Sequence, residues 1–276
     1  MAKDELVVAA VQLNSQADVT QNLDRCRTLV ERARRRGAEL VLLPENFAFF
    51  GAEAEKRQVA ESLADGAIAR AVRGMARDNA LCVIGGGFPE RTADAARPHN
   101  TLLAVGPDGE DIATYRKIHL FDVELGAAGK YAESDATLAG KDIAVAEVSG
   151  FKLGLSICYD LRFPELYRAL SELGAEVLLV PAAFTLHTGK DHWHVLLRAR
   201  AIEAQAFVVA AAQQGAHPGN RQTYGHSLVV DPWGTVIAEA TDGEGIVIAT
   251  LERARLTTVR RSLPSLSHRR LGLASG

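Results

Sequence analysis

The chain has 276 residues, of which 47% are hydrophobic and 24% are charged, and a formal net charge of −3. It is long and apolar enough for a full hydrophobic core, and this charge does not indicate binding to nucleic acid or to an anionic membrane. No apolar stretch approaches the roughly 20 residues of a membrane-spanning helix, and three cysteines without a C-x-x-C motif predict a reducing, cytoplasmic location and no disulfide framework.

The first half of the chain alternates strand and helix patterns. Short apolar runs predict strands, and an amphipathic stretch that ends in arginines and Gly37 predicts a helix. One strand ends in the three glycines 85–87, which indicate close backbone approach rather than a dinucleotide site. Segment 118–142, rich in Gly and Ala, predicts a loop over a site. The predicted strands and helices are 6–13, 22–36, 40–43, 52–64, 66–79, 81–88, 99–105 and 111–116.

The second half of the chain repeats the first. The sequence GAEVLLVPAAF at 174–184 resembles GAELVLLPENF at 37–47, and the hairpin LVVDPWGTVIA at 228–238 resembles LAVGPDGEDIA at 103–113. Each half therefore has the same order of strands and helices. The predicted elements of the second half are 151–157, 164–173, 190–205, 206–212, 224–230, 235–240 and 252–262.

This internal duplication predicts the fold class. Two similar halves of alternating strands and helices indicate an α/β protein, a four-layer α-β-β-α sandwich of two mixed sheets with the helices outside. We expect a single domain over 1–276, with a C-terminal tail, 263–276, that is extended or contacts a dimer partner.

Two charged residues directly follow strands of the first half. Glu45 is the first polar side chain after strand 40–43, and Lys117 directly follows strand 111–116. The Glu45 carboxylate could cap the next segment or act in catalysis at a sheet edge, and its local sequence leaves these two alternatives about even. The matched residue of the second half is Ala182, which favours a chemical role, because a need of the turn itself would apply to both halves.

A cysteine occupies the strand-to-helix turn of the second half. Cys158 follows the apolar run 151–157, and Pro164 begins a helical pattern. Sites in open α/β sheets are built at this edge, where backbone N–H groups and a helix N-terminus favour the thiolate. Most free cysteines are small buried hydrophobes, and we assign Cys26 and Cys82 to the core on that basis. For Cys158 the alternative is a nucleophile.

Together these residues form a set that amide hydrolysis requires. The reaction needs a nucleophile, a base that takes its proton and returns it to the leaving nitrogen, and positive charge where the oxyanion develops. The thiol of Cys158, the carboxylate of Glu45 and the ammonium of Lys117 meet these needs without a histidine. The combination shifts the interpretation of all three residues toward catalysis.

The segments LVLLPENF, YRKIHLFD and SICYDLRFPELYR resemble, in this order, the three catalytic motifs of the nitrilase superfamily of carbon–nitrogen hydrolases. The resemblance covers about residues 6–271. It implies that Glu45 is the general base, Lys117 the oxyanion stabiliser and Cys158 the nucleophile, and that Glu133 positions the lysine and the substrate. It also implies the sandwich fold, a homodimer or higher homo-oligomer, and neither cofactor nor metal.

Segment 191–238 is similar to the deaminated-glutathione amidase branch of this superfamily. The resemblance implies a thioester-forming amidase that converts deaminated glutathione, a small carboxylated amide, to 2-oxoglutarate and cysteinylglycine, and that acts on linear amides rather than on protein peptide bonds. The alternatives are an ω-amidase acting on 2-oxoglutaramate, whose branch tends to have Ser-Pro-Ala-Arg where 212–215 reads AQQG, and another hydrolase or acyltransferase of the superfamily. His194 stands where the branch usually has Glu, which leaves the polarity of the pocket open.

Several neighbouring residues carry weaker signals. The backbone N–H of Tyr159 is a candidate second oxyanion donor, and Arg162 is either structural or binds a substrate carboxylate. His187, His192 and His194 are close in sequence, but positions 192 and 194 point to different faces of a helix. We therefore do not expect them to share a metal ion.

Two other function classes remain as alternatives. The first is a degenerate scaffold that binds a partner through its dimer face, against which the intact Glu45, Lys117, Glu133 and Cys158 count. The second is a metal-dependent amidohydrolase, which a chelator should inactivate, whereas we expect no effect of a chelator.

Segment 118–142 is one candidate for a loop that covers the substrate, since it carries Glu133.

Overall fold

The structure is a computed structural model that describes residues 3–94, 96–126 and 129–272. The α-helices are α1 Val19–Arg35, α2 Lys56–Val59, α3 Ala67–Asn79, α4 Pro164–Glu172, α5 Leu186–Ala204 and α6 Arg253–Ser262. The strands are β1 Glu5–Gln12, β2 Leu40–Leu42, β3 Cys82–Glu90, β4 His99–Val105, β5 Asp111–Arg116, β6 Asp122–Glu124, β7 Lys130–Ala132, β8 Val145–Val148, β9 Phe151–Leu155, β10 Val177–Ala182, β11 Phe207–Ala212, β12 Gln214–His217, β13 Arg221–Tyr224, β14 Leu228–Val230, β15 Val236–Glu239 and β16 Gly245–Glu252.

Twelve of these strands form two six-stranded mixed sheets with equivalent topology, and the other four form the hairpins β6-β7 and β12-β13. The first sheet has the order β16-β1-β2-β3-β4-β5, and the second has the order β8-β9-β10-β11-β14-β15. In each sheet three neighbouring strands are parallel, β1-β2-β3 or β9-β10-β11, and the flanking strands pair antiparallel. The predicted duplication is therefore a duplication of whole sheets.

Matched residues build the helix-to-strand connections of the two halves in the same way. Gly37 follows α1 and Gly174 follows α4, each with φ of +86°, a conformation that glycine adopts without steric cost. The next turn places Glu39 and Glu176, whose backbone N–H groups donate to the preceding parallel strands over 2.8 Å. The repeated GAE sequence therefore ends a helix and begins strand pairing in both halves.

The core has layers because apolar side chains cover both faces of the parallel strands. On the inner face of the first sheet, Val8 and Leu42 belong to the same buried cluster as Leu153 and Val208 of the second sheet. On its outer face, Val41 packs in a separate cluster with side chains of α1 and α3. Helices α4 and α5 cover the second sheet from its other side. The predicted four-layer α-β-β-α sandwich is thus confirmed.

The glycines 85–87 allow close backbone approach, as predicted, but they lie in the middle of β3, which continues to Glu90 after an irregularity in its pairing with β4. A Cβ atom on Gly86 would lie 1.8 Å from the carbonyl oxygen of Leu43 and 2.6 Å from Cβ of Pro181. On Gly87, whose φ is +134°, a Cβ atom would lie 2.7 Å from Oδ1 of Asn100. No L side chain fits at Gly86, so the middle of β3 is held against the turn that carries Glu45.

Three predicted segments differ from the structure. The helix predicted over 52–64 is limited to a 3-10 turn, Glu53–Glu55, and the short α2, because Glu61 instead pairs with the end of β3 through its backbone N–H, which donates to Pro89 over 3.2 Å. The strand predicted over 224–230 is interrupted, because Gly225 and His226 have φ of +75° and +57°, so β13 forms a separate hairpin with β12 and β14 joins the sheet. The loop predicted over 118–142 contains the hairpin β6-β7 and a short 3-10 helix, Glu133–Asp135, while residues 127–128 of it lie outside the described residues.

The single domain over 1–276 and the role of the tail 263–276 stay predictions, and residues 273–276 lie outside the described residues. Within the described part of the tail, Arg269 forms an ion pair with Glu172 at the end of α4. Of the helices formed by the described residues, none has both the length and the apolar composition for crossing a membrane.

Candidate active site

A cavity of about 500 Å³ opens at the strand ends where the predicted site residues lie. Three of these residues are placed by different strands: Glu45 follows β2, Lys117 follows β5, and Cys158 follows β9 of the second sheet. All six of the predicted residues line this cavity: Glu45, Lys117, Glu133, Cys158, Tyr159 and Arg162. Residues separated by more than 100 positions in the sequence therefore face the same space.

A buried ammonium group is held between two buried carboxylates. Lys117, only 2% exposed, places Nζ 2.9 Å from Oε1 of Glu45 and 2.8 and 3.1 Å from the two oxygens of Glu133. Burial alone would lower the pKa of Lys117, but the charges of Glu133 and Glu45 outweigh it and raise the pKa well above its ordinary value. Lys117 is therefore a fixed positive charge at neutral pH.

The carboxylate of Glu45 has a defined orientation. Its Oε1 accepts hydrogen bonds from Lys117 and from Nδ2 of Asn100, both over 2.9 Å, and its Oε2 accepts one from the backbone N–H of Ala183 over 3.0 Å. Gln213, which is fully buried, donates from Nε2 to the backbone carbonyl of Glu45. Residues of both sheets therefore fix this carboxylate. Asn100 and Gln213 were not predicted as part of the site, because nothing in their local sequence indicates a contact with Glu45.

Cys158 is a buried thiol on a strained turn. It begins a 3-10 helix, Cys158–Arg162, with φ of +50°, a conformation that is uncommon for residues other than glycine. Burial and, next, the negative charge of Glu45 raise its pKa well above the ordinary value, although Lys117 and a backbone N–H act in the opposite direction. The expectation that this turn favours the thiolate is wrong, because burial and Glu45 outweigh the backbone N–H group that acts toward it.

A fully buried aspartate connects the cysteine turn to the lysine segment. Oδ2 of Asp160 accepts hydrogen bonds from Tyr115 Oη over 2.7 Å and from the backbone N–H of Ile157 over 2.8 Å. Its Oδ1 accepts from the backbone N–H of His119 over 3.1 Å and lies 2.7 Å from that ring's Nδ1. Asp160 was not predicted, although it lies in the quoted motif beside the cysteine.

The remaining predicted residues form the wall beside the thiol. The ring of Tyr159 packs against Phe121, with centroids 5.0 Å apart, and the guanidinium of Arg162 lies over Tyr159 and, at 5.1 Å, over Phe184. Arg162 also contacts His192 over 3.2 Å. Its half-buried guanidinium lines the cavity and contacts no carboxylate among the described residues within ion-pair distance.

Two cationic residues that were not predicted from the sequence also line the cavity. Lys56 is 8% exposed and lies 2.7 Å from Glu53, and Arg221 pairs with the same carboxylate over 2.9 Å while lying over the ring of Phe50. These residues come from α2 and from the β12-β13 hairpin, elements whose positions depend on distant contacts. The cavity thus has cationic groups beside the Glu45, Lys117 and Cys158 set.

His194 lies outside this cavity. It and His192 point in different directions, as predicted, since His192 contacts Arg162 whereas His194 contacts Glu239 of β15 over 2.8 Å. The residue that departs from the branch pattern therefore does not set the polarity of the cavity through a side chain that lines it.

Comparison with known proteins identifies the family to which this chain belongs. The model of the family described as "Carbon-nitrogen hydrolase" matches residues 7–261. A deaminated glutathione amidase of Synechocystis sp. is 47% identical over 95% of this chain and 97% of its own length. The crystal structure of the Caenorhabditis elegans NitFhit protein superposes with a TM-score of 0.91 at 41% identity, covering 98% of this chain and 66% of that one.

A third relative is an amidase of the nitrilase superfamily from Nesterenkonia sp. AN1. One of its structures is 29% identical to this chain, with a TM-score of 0.78 and coverage of 94% and 96% of the two chains. In another, the acetamide moiety of fluoroacetamide is covalently added to the active-site cysteine. With the family model matching most of its length, this chain belongs to the carbon–nitrogen hydrolase family of the nitrilase superfamily and is an amide-hydrolysing enzyme.

Proposed function

We propose that this enzyme is a cysteine-dependent amidase that hydrolyses deaminated glutathione to 2-oxoglutarate and cysteinylglycine through a thioester. The observation that carries the proposal is the convergence of Glu45, Lys117 and Cys158 on one buried cavity, with Lys117 Nζ 2.9 Å from Glu45. The name of the Synechocystis relative supports the substrate, and the modified cysteine of the Nesterenkonia amidase supports Cys158 as nucleophile.

In the proposed first step, Glu45 accepts the proton of Cys158 as sulfur attacks the amide carbon. A base is needed at this moment because the raised pKa keeps Cys158 protonated before attack. The carbonyl oxygen gains negative charge, and the ammonium of Lys117 and the backbone N–H of Tyr159 stabilise it. Glu133 keeps Lys117 charged and in position through hydrogen bonds of 2.8 and 3.1 Å.

The carbon–nitrogen bond then breaks as Glu45 returns its proton to the leaving nitrogen, which departs as the amine of cysteinylglycine. The acyl group stays on Cys158 as a thioester. Water that has lost a proton to Glu45 attacks this thioester, and the sulfur leaves and regains the proton as the acid is released. Glu45 ends the cycle ionised, as it began, so the reaction consumes one amide and one water.

The charges of the cavity support a substrate that carries carboxylates. Arg162 lines the cavity, and so do Lys56 and Arg221, which share one carboxylate partner, Glu53. Guanidinium groups bind carboxylates through paired hydrogen bonds, whereas a neutral amide gains nothing from them. This arrangement favours deaminated glutathione over an uncharged amide but does not by itself separate it from 2-oxoglutaramate.

A substrate panel tests the proposal. The purified enzyme is assayed on deaminated glutathione, on 2-oxoglutaramate and on an uncharged aliphatic amide, with release of the primary amine of cysteinylglycine and of ammonia as readouts. We expect the highest kcat/KM on deaminated glutathione and no turnover by Cys158→Ala. A large preference for 2-oxoglutaramate would instead assign the enzyme to the ω-amidase reaction.

An acyltransferase would use the same thioester with an amine in place of water. Product analysis with and without an added amine separates the two reactions, and we expect the free acid in both. The proposal also includes a homodimer in a reducing cytoplasm, which the family resemblance and the three buried free cysteines support. Light scattering of the purified chain tests the dimer.

A further inference from the structure

A second cluster of polar side chains lies where α5 meets the edge of the second sheet, outside the cavity. His194 of α5, His226 before β14 and Glu239 of β15 bring three potential ligand atoms within 4.8 Å of one another. Nε2 of His194 and Nδ1 of His226 lie 2.8 and 2.7 Å from the same carboxylate oxygen of Glu239. None of the three residues lines the catalytic cavity.

We propose that His194, His226 and Glu239 form a binding site for a divalent cation of the zinc type. Two imidazole nitrogens and one carboxylate oxygen are a donor set that Zn²⁺ accepts, whereas Mg²⁺ and Ca²⁺ prefer oxygen ligands throughout. The set differs from the sequence cluster of His187, His192 and His194, because His226 comes from the turn before β14 and Glu239 comes from β15.

The distances between the donor atoms fit a bound ion after a small adjustment. Tetrahedral Zn²⁺ with bonds of about 2.0–2.1 Å places neighbouring donors about 3.3 Å apart. The present separations of 2.8 and 2.7 Å between each nitrogen and Glu239 are those of hydrogen bonds, so the side chains must separate by about half an ångström. The side chains can do so because each is about one-third exposed, at 29–34%.

The backbone and rings around the cluster hold it in advance of binding. Trp193, which is fully buried, donates its indole N–H to the carbonyl of His226 over 2.8 Å, so the residue beside His194 fixes the second histidine. His226 has φ of +57°, an uncommon conformation that a non-glycine residue keeps only when its surroundings enforce it. The ring of Tyr224 stacks on His226 at 4.3 Å and lies 6.0 Å from the ring of His194.

The charge of the cluster is also suited to a cation. Glu239 brings a carboxylate, the negative group of the cluster, within hydrogen-bond distance of both imidazoles. Three protein ligands leave the fourth position of a tetrahedral ion toward solvent, so the ion would connect α5 to the edge of the second sheet.

Titration of the metal-free enzyme with Zn²⁺ in a calorimeter tests this inference without any use of catalysis. The enzyme is first treated with a chelator, which is then removed. We expect one equivalent of Zn²⁺ per chain, and an affinity at least about tenfold weaker in His194→Ala and in Glu239→Gln. His187→Ala removes an exposed imidazole from the same helix and should leave the affinity within about twofold of wild type.

Two further measurements locate the ion. Zn²⁺ should bind Cys158→Ser as it binds the wild type, because the site does not include the catalytic thiol. Wild-type enzyme with Co²⁺ in place of Zn²⁺ should show visible absorption without a thiolate-to-metal band. This measurement needs no variant and therefore does not depend on whether a variant folds. The inference is overturned if wild-type enzyme does not bind Zn²⁺, if both cluster variants bind it as tightly as wild type, or if Cys158→Ser abolishes binding.

Discussion

Replacing Asp160 with Asn changes one atom type at the connection between the cysteine turn and the lysine segment. Each oxygen of Asp160 faces one backbone N–H, that of Ile157 at 2.8 Å or that of His119 at 3.1 Å. The amide of Asn has one NH₂ group, which must therefore face one of these two donors in either orientation. The hydroxyl of Tyr115 and the ring of His119 can rotate or change tautomer, but a backbone N–H cannot.

The magnitude follows from these contacts. Leaving a buried backbone donor without an acceptor costs about 1–3 kcal/mol, and the loss of charge-assisted bonds from the remaining donors adds to it. We expect Asp160→Asn to lower the free energy of unfolding by about 2–4 kcal/mol. At about 2 °C per kcal/mol for a chain of this size, Tm should fall by about 4–8 °C. A displaced cysteine turn should also lower kcat by about 10²-fold, as small misplacements of reacting groups do.

Differential scanning calorimetry and steady-state kinetics measure both effects. Tyr115→Phe is the graded control, because it leaves both backbone N–H groups paired with the carboxylate and removes only the Tyr115 hydroxyl, which donates to Asp160 and accepts over 3.3 Å from the part-buried backbone N–H of Ile118. Its loss of stability should be about 1–2 kcal/mol and smaller than that of Asp160→Asn. An Asp160→Asn variant with the Tm and kcat of the wild type would show that Asp160 does not hold the cysteine turn in place.

Three other substitutions test separate parts of the site. Lys117→Met removes the proposed oxyanion charge and should lower kcat by about 10²–10³-fold in steady-state assays; an unchanged kcat would exclude that role. Glu133→Gln should reduce the acid sensitivity of the free energy of unfolding, because the lowered pKa of Glu133 gives stability that is present above its ordinary value of 4.5 and is lost as the pH falls; an unaltered acid limb of the stability curve would count against it. Arg162→Gln should raise KM for deaminated glutathione by about tenfold with little change in kcat, and an equal effect on an uncharged amide would show that Arg162 does not bind a carboxylate.

The fold and the residues that line the candidate site could be predicted because their signals are local. A continuous apolar run such as 40–43 indicates a strand that is buried on both faces. The first polar residue after such a run, here Glu45, is therefore expected at the edge of the sheet where the strand ends. The repeat of GAE with its glycine marks the same helix ending in both halves, at Gly37 and Gly174. Side chains from both sheets then meet because the two halves pack face to face.

Other features depend on contacts between distant segments, which local patterns do not contain. Burial and the charge of Glu45 raise the pKa of Cys158. The prediction of a thiolate considered only the nearby backbone N–H groups and helix N-terminus, and neither of these two effects. Asp160 looked like any polar residue of a turn, and its importance follows from its bonds to the segment 115–119. The break in the strand predicted over 224–230 arises where His226 is fixed by a tryptophan of α5.

The mass of the enzyme during turnover shows directly whether Cys158 carries the acyl group in the cavity that it shares with Glu45 and Lys117. Enzyme mixed with deaminated glutathione is quenched in acid within the first turnovers, and intact-mass and peptide measurements locate any adduct. We expect one acyl group on the peptide that contains Cys158 and none on Cys158→Ala. Full turnover by Cys158→Ala, or an acyl group on another residue, would exclude Cys158 as the acyl carrier.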